Sequence, residues 1–591
     1  MLFFKPILLA VGLLSLVTAD PAAAAAASAD EGQCAADDTA CQEKAAAGSP
    51  EQQKKKKKKK KYKRVRIIDW DMKNKNFAKT VMDGQYPVVI KKNIAEKYWP
   101  ALKKWNWEYL EKNLLKDGQT QVPNVFQYDR VGEADVVMRN LDDERKIPMD
   151  GMVEGLSVQN VSAADFFSKF SEEGKSKQGY YFIAATKDLG IADDCVPYKK
   201  RMTNGDDISN PKNVQQILWV STKGITAHMH YDMSHNFHTV IKGKKRVLLF
   251  PPRLAEKFHP FPHNHPSYRQ MQIDINGAKT KRHHLRPKES VLSSAGQVAM
   301  LEEGDMIYIP PWWLHRIQSK RATASVSVLS PSQHEKRFAD ISWVELKPLS
   351  NVTDYTDRAK VVRQFILMLI NKVDSLNQLL QQDILNKPQT YPTDFIRRLY
   401  ESRYEPLMPK ELRDGSYETY LHGFGQGLQH EGGVWTWGDT AAFCEANPWD
   451  PENRKKFVAA VEAQKTLVSQ GENIEHIIPN GIWPSDWPPT QPPKNITSEV
   501  DDKYTHLDAE GELQVKPEYN FTEYEDAMIE AHKSYNRHLL FSMDHIADDL
   551  TVHFSNLPIS IRETQLMNYI EEAARWAIGS RAVPVFLRDC F

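Results

Sequence analysis

Excess charge of either sign is missing from this chain. Its 77 lysines and arginines balance 77 aspartates and glutamates, so no global field draws it to nucleic acid, and any basic character is local. Cysteine is scarce. There are five in 591 residues, none spaced Cys-x-x-Cys, so no zinc template is met and at least one thiol is left unpaired. Long apolar runs are missing too. Pro6 to Val17 falls short of the roughly 20 residues that cross a bilayer, and no other stretch is apolar enough, so no transmembrane span is expected. Hydrophobic content of 41% and aromatic content of 10% are those of a globular protein. The length exceeds what one compact core can use, so two or three domains are expected.

Residues 1–19 carry Lys5, the short apolar run and the small residues Val17-Thr18-Ala19. This is the pattern of a cleavable secretory signal peptide, and it predicts the endoplasmic reticulum lumen or the cell exterior. Asn160, Asn351, Asn495 and Asn520 stand in Asn-x-Ser/Thr acceptor sites, which fits a glycoprotein. Residues 20–62 are low-complexity: an alanine-rich piece, an acidic patch with Cys34 and Cys41, and a lysine run from Lys54 to Lys61. Such composition buries no core and reads as a disordered linker. Cys34 and Cys41 lie close enough for a small disulfide loop in an oxidising lumen. The lysine run also admits a nuclear address, overridden by a working leader, or a polyanion or membrane-surface contact.

Chemistry concentrates between Leu218 and Pro252, expected as two β-strands joined by a polar turn. Thr226, His228, His230 and Asp232 alternate along the first strand and so project to one face. His230 and Asp232 stand about 7 Å apart along it, estimated from the strand rise. An imidazole and a hard carboxylate, joined by a second imidazole from elsewhere, make a facial triad suited to Fe(II) with open positions for other ligands. Downstream, Glu303-Gly304-Asp305 makes a turn, Met306–Ile309 a strand, and Pro310-Pro311-Trp312-Trp313-Leu314 leads to His315. Rigid prolines and large apolar neighbours suit His315 to a fixed, partly dry ligand position. Lysines within an otherwise apolar strand, Val240 to Phe250, need a negative partner if buried.

With LWVSTKGITAHMHYDMSHNF, IKGKKRVLLFPP, FPHNHPSYRQMQID, EEGDMIYIPPWWLH and the upstream GYYFIAA in order, the region from Lys63 to Pro331 resembles the JmjC-domain, cupin-like oxygenases. The nearest pattern is that of the small hydroxylases that include the asparaginyl hydroxylase of hypoxia signalling. The resemblance implies an α+β fold: a double-stranded β-helix (jelly-roll, cupin barrel) with an N-terminal cap. It implies a dioxygenase using Fe(II), 2-oxoglutarate and O2. Position by position, it makes His230, Asp232 and His315 the metal ligands and catalytic set. Lys245, fifteen residues after His230, then holds the distal carboxylate of 2-oxoglutarate. Tyr181 aids it, and Asn236 and Thr226 lie among the cofactor-binding positions. His228 is the rival ligand; its spacing to Asp232 and Lys245 fits less well. Two departures weaken the co-substrate contacts: Ala227 stands where the family often has Thr or Ser, and the late-strand polar position falls on Leu329 or Ser330.

The domain reading is therefore a leader at 1–19, a linker at 20–62, a catalytic domain at 63–335 and a mainly α-helical C-terminal domain at 350–591. Within the catalytic domain, Tyr86–Ile90 is strand-like, Trp99–Leu115 helical, and Gln159–Phe170 a helix capped by Ser162. The segment from Phe258 to Arg286 holds His259, His263, His265, His283 and His284. Their spacing matches no zinc template, so a substrate-facing or oligomer-forming loop is expected. Beyond Asp354, apolar residues from Val362 to Leu380 recur at helical intervals, so an amphipathic helix is expected to about Leu385. Further helices are expected at Thr393–Tyr404, Asn453–Gln470, Glu523–Leu550 and Ile561–Ser580, with Trp-rich loops at Trp435–Trp449 and Trp483–Pro493. Their apolar stripes suit packing on the barrel or a homodimer surface.

The function implied is hydroxylation of a protein side chain in the secretory pathway. The alternatives are a JmjC lysine demethylase acting on chromatin, which requires a nuclear address, a tRNA-modifying enzyme, and an inactive cupin-like scaffold.

Overall fold

The computed structural model describes residues 62–115, 119–128, 156–171, 178–198, 214–265, 267–273, 275, 285–342, 344–352, 355–380, 392–407, 429–430, 433–434, 494–509, 513–579 and 583–591. The leader, the lysine-rich linker, the expected helix at Asn453–Gln470 and both Trp-rich loops lie outside them.

The described strands before Gln333 are β1 (Lys63–Arg64), β2 (Arg66–Asp69), β3 (Val88–Lys91), β4 (Gln121–Tyr128), β5 (Leu156–Ser162), β6 (Gly179–Ala185), β7 (Gln215–Ser221), β8 (Thr226–His230), β9 (His235–Lys242), β10 (Lys245–Phe250), β11 (Gln297–Leu301), β12 (Met306–Ile309), β13 (Leu314–Ser319) and β14 (Thr323–Ser330). They form two sheets, ordered β1-β11-β10-β13-β8 and β2-β3-β12-β9-β14-β7-β6-β4-β5. Period-two alternation assigns the faces. On β10, Val247 and Leu249 meet Val240, Ile307 and Ile309 of the other sheet. Leu248 and Phe250 point the other way, into the helical layer. The interior therefore lies between the sheets, and the architecture is a double-stranded β-helix in an α+β fold. Those inward Val, Leu and Ile side chains are fully buried, each worth roughly 1.5–3 kcal/mol relative to exposure.

The outer face of the larger sheet (Phe237, Ile241, Val326, Val328) is covered by α1 (Phe77–Asp83), α2 (Ile94–Tyr98), α3 (Ala101–Lys104), α4 (Trp107–Leu114) and α5 (Ala163–Ser171). After α6 (Glu289–Ala295) and α7 (Gln333–Ser342) come α8 (Tyr355–Leu380), α9 (Pro392–Arg403), α10 (Lys494–Tyr504), α11 (Phe521–Ser555), α12 (Ile559–Ile578) and α13 (Val583–Asp589). α8, α9, α11, α12 and α13 share one apolar cluster with Leu248, Phe250, Met229 and Leu314 of the smaller sheet. Among the described residues, no helix is long and apolar enough to cross a membrane.

Two local expectations need correction. Leu218–Pro252 is not a pair of strands but spans β7 to β10. Gly224 and Gly243, at φ +89° and +86°, reverse the chain, and at Gly243 a Cβ would come 2.0 Å from the Ala322 carbonyl oxygen. The run Gln159–Phe170 begins as strand, to Ser162, and is helix only from Ala163. Val158 and Val161 pair with Phe126 and Val122 of β4, so cross-strand pairing overrides helical spacing there. Ser162 does cap the helix that follows, its Oγ accepting from Asp165 N at 3.1 Å.

The segment from Pro252 to Gln272 joins the helical layer to the barrel. On one side it extends the edge of β8: Met271 N donates to Met229 O at 2.8 Å, Tyr231 N to Arg269 O at 3.2 Å, and His230 bridges Gln270. On the other side it is gripped by α9 and α12. Gln272 Nε2 donates to Arg403 O at 2.7 Å, Asn264 Nδ2 to Glu571 O at 3.2 Å, and His263 N to Glu571 Oε2. Behind these, Arg403 and Glu571 pair at 2.7 Å with essentially no exposure.

Candidate metal centre and co-substrate pocket

His230 is the last residue of β8 and lies directly opposite His315 on β13, their ring centroids 4.1 Å apart. Asp232 sits two residues past the end of β8, in the turn before β9, rather than on the strand itself. Trp312, at φ +67°, ties that turn to the strand carrying His315 by donating its N–H to Asp232 O at 2.7 Å. The result brings Asp232 Oδ2 to 3.5 Å from His315 Nε2. One ligand atom from each of His230, Asp232 and His315 lies within 4.8 Å of the others, the one such convergence of His, Cys, Asp or Glu among the described residues.

Backbone carbonyls set the tautomers. His230 Nδ1 lies 2.6 Å from His228 O, and His315 Nδ1 lies 2.9 Å from Trp313 O. A carbonyl only accepts, so each Nδ1 bears the hydrogen and each Nε2 keeps a free lone pair, the arrangement a metal ligand requires. Burial, reinforced by the neighbouring His315, lowers the His230 pKa to about 4, so its imidazole is neutral at physiological pH. Burial pushes the Asp232 carboxyl upward, but the adjacent His315 outweighs it, helped by His230 and Arg269. Asp232 is thus held well below the usual carboxylate range. Two imidazole nitrogens and one carboxylate oxygen fit a divalent cation.

Lys245 opens β10 and reaches across the interior from the smaller sheet to the larger, where its Nζ donates to Ser325 Oγ at 2.7 Å. It is 2% exposed, and no carboxylate pairs with it among the described residues. Burial lowers its pKa to about 7. A buried ammonium held only by a hydroxyl is costly and suits an incoming carboxylate, so the residues present fit 2-oxoglutarate. Tyr181 stacks on Trp219 and is buried near Asp232; burial, then that charge, pushes its hydroxyl pKa up. Asn236 is buried, and its Oδ1 has no hydrogen-bond partner among the described residues. The structure does not bring the Thr226 hydroxyl to the centre: it donates to Gly224 O at 3.2 Å. His228 Nε2 is engaged by Met271 O, so of the two histidines it is His230 that converges with Asp232 and His315. Leu329 lies opposite Asn236, and Ser330 is buried near the end of β14.

Sequence reasoning missed several residues. Ser325 and Ser327, two apart on β14, are both buried and make the inner polar contacts expected of Leu329 or Ser330. The alternation Thr323-Ala324-Ser325-Val326-Ser327-Val328 was the available signal. His238, two residues beyond Asn236 on β9, is buried beside them. Arg269, at φ +70°, lies near Asp232 and Glu335. Burial opposes its charge, but Tyr268, Asp232, Tyr231 and Glu335 more than offset that. It lies in the long insertion and no local motif marks it.

A model of the cupin-like domain matches residues 74–330. Among curated proteins, the chain is 24% identical over 180 residues to a protein of Arabidopsis thaliana named lysine-specific demethylase JMJ31, covering 29% of each chain. It is 24% identical over 261 residues to Jumonji C domain-containing protein 5 of Drosophila melanogaster, covering 43% of this chain and 56% of the relative. Over 263 residues it is 24% identical to tRNA wybutosine-synthesizing protein 5 of Gallus gallus, covering 43% of this chain and 73% of the relative. The chain thus spans less than two thirds of the first two relatives.

Proposed function

We propose that the cupin-like domain of the JmjC superfamily that this chain carries is an Fe(II)- and 2-oxoglutarate-dependent dioxygenase that hydroxylates a protein side chain in the secretory pathway. The observation that carries the reading is the convergence of His230, Asp232 and His315 in a barrel that also buries Lys245 without a carboxylate partner. His230, Asp232 and His315 would hold the metal, and Lys245 the far carboxylate of 2-oxoglutarate, with Tyr181 and Asn236 nearby. When bound, the metal and co-substrate supply a two-electron oxidation in which one atom of O2 enters the substrate C–H bond and the other enters succinate, with release of CO2.

The chain's own part is orientation and the exclusion of water. The backbone carbonyls of His228 and Trp313 hold both imidazoles with Nε2 turned to the centre. Stacking of Tyr231 on Trp312, centroids 4.8 Å apart, shields the turn that carries Asp232. The segment over the β8 edge places Arg269 and Gln270 beside His230.

The luminal address rests on the leader-like residues 1–19 and on Cys590, which is disulfide-bonded, a state that suits an oxidising compartment. Acceptor positions Asn160, Asn351 and Asn520 are exposed, as glycosylation requires. Exposed Ile529, Phe541 and Val552 along α11 support a homodimer through the C-terminal helices. A lysine demethylase is the second reading, favoured by the name of the Arabidopsis relative. Succinate release on incubating the Fe(II)-loaded protein with luminal extract, beside mass spectrometry of the extract, tests the proposal. Gain of one oxygen atom on a protein supports hydroxylation, loss of methyl groups supports the demethylase, and no succinate refutes both. A fluorescent fusion of residues 1–30 decides lumen against nucleus.

A further inference from the structure

Among the described residues, the interior holds a polar group that the metal set and Lys245 leave unexplained. His238 points inward from β9, 2% exposed, directly opposite Ser327 of β14. Its Nδ1 lies 2.9 Å from Ser327 Oγ, and its Nε2 has no hydrogen-bond partner among the described residues. Ser327 Oγ is also the acceptor for Trp219 Nε1–H at 3.0 Å. An indole nitrogen only donates, so Ser327 receives from Trp219 and has its single O–H left to give. Giving it to His238 Nδ1 satisfies the whole relay and leaves the imidazole hydrogen on Nε2. In that arrangement His238 presents a donor, buried and unused, to the same space that Lys245 enters through Ser325, two residues along β14 from Ser327. Thr226, the other hydroxyl expected nearby, is spent on Gly224.

Resting on the dioxygenase reading above, we propose that His238 Nε2–H is a second donor to the bound 2-oxoglutarate, set in its tautomer by the Trp219–Ser327 relay and acting with Lys245 on a co-substrate carboxylate. A buried donor without an acceptor costs free energy in the empty protein, and an anion drawn by Lys245 supplies the acceptor. Ser327 and Trp219 are positioning residues: they decide which nitrogen carries the hydrogen and touch no ligand.

The test is anaerobic calorimetric titration of 2-oxoglutarate into the full-length Fe(II)-loaded protein, with thermal melting as a check on folding. His238→Phe removes the donor and keeps an inward ring, and should weaken binding about 10- to 100-fold, as loss of one hydrogen bond to a charged group does. His238→Gln keeps an N–H near the Nε2 position and should bind within about threefold of wild type. Lys245→Met is the control for the pocket itself. Wild-type affinity in a folded His238→Phe variant overturns the proposal while leaving the dioxygenase reading intact. So does a folded His238→Gln variant as weak as His238→Phe. If the wild type binds no 2-oxoglutarate, the dioxygenase reading fails and the donor role falls with it.

Discussion

Arg403 and Glu571 offer the sharpest test of how the helical layer supports the metal centre. The Arg403 guanidinium donates to Glu571 Oε1 at 2.7 Å, Asn568 Oδ1 at 2.8 Å and Thr564 O at 3.3 Å. Neither partner of the pair has more than 1% side-chain exposure, so water cannot replace what is lost. Arg403→Met keeps most of the volume and strands a buried carboxylate, which costs about 3–5 kcal/mol at neutral pH. The penalty has a pH signature. Burial holds the Glu571 pKa above its ordinary 4.5, with the Arg403 charge opposing that rise. Without Arg403 the rise grows. A carboxyl whose folded-state pKa is raised destabilises the protein when ionised and not when protonated in both states. The variant's deficit is therefore full at neutral pH and shrinks as pH falls through the raised pKa toward 4.5. Arg403→Met/Glu571→Leu removes both charges and should recover much of the loss, apart from the acceptor that His263 N then lacks. Urea unfolding at neutral and mildly acidic pH measures this. Hydrogen exchange at Met271 and Tyr231, whose N–H groups join the clamped segment to β8, shows whether loosening reaches His230. A deficit below about 1 kcal/mol, or one that does not change with pH, would refute the reasoning.

On the proposed reading, Asp232→Ala removes the one carboxylate of the triad and should abolish 2-oxoglutarate turnover and sharply weaken Fe(II) binding; persistent substrate-dependent succinate release would show the triad to be misassigned. Lys245→Met should weaken 2-oxoglutarate binding about 10- to 100-fold with Fe(II) affinity unchanged, read by calorimetry. In the wild type, the Lys245 pKa is lowered to about 7, and the protonated form is the one that pairs with a carboxylate. Affinity should be flat below pH 7 and fall about tenfold per pH unit above it, with proton uptake on binding; a flat profile to pH 9 contradicts this. Gly243→Ala places a Cβ 2.0 Å from Ala322 O at φ +86°, a backbone strain worth about 1–3 kcal/mol by itself, and should lower the melting temperature and the affinity for 2-oxoglutarate together.

Much of the site was legible because its chemistry is local. His230, Asp232 and the fifteen-residue interval to Lys245 lie on one continuous stretch, and Pro310-Pro311 flags His315. The helices from Tyr355, Pro392, Phe521 and Ile559 followed their apolar periodicity to within a few residues. What escaped depends on partners far along the chain. The helical spacing at Gln159–Val161 lost to pairing with β4. Ser325, Ser327 and His238 carry no motif, and they become polar lining only when β14 lies between β9 and β7.

The order of residues alone determined which imidazole and carboxylate side chains converge, the alternation that turns one strand face inward, and the apolar stripes that call for a helical layer. Only the closed structure decided that Asp232 leaves its strand and is fixed by Trp312, that Lys245 crosses to Ser325, and that Arg403 and Glu571 hold the segment beside His230 from more than a hundred residues away in sequence. The division has one physical cause. Periodicity is a property of neighbours along the chain, whereas the cost of a buried charge or an unpaired donor is set by whatever the fold packs against it.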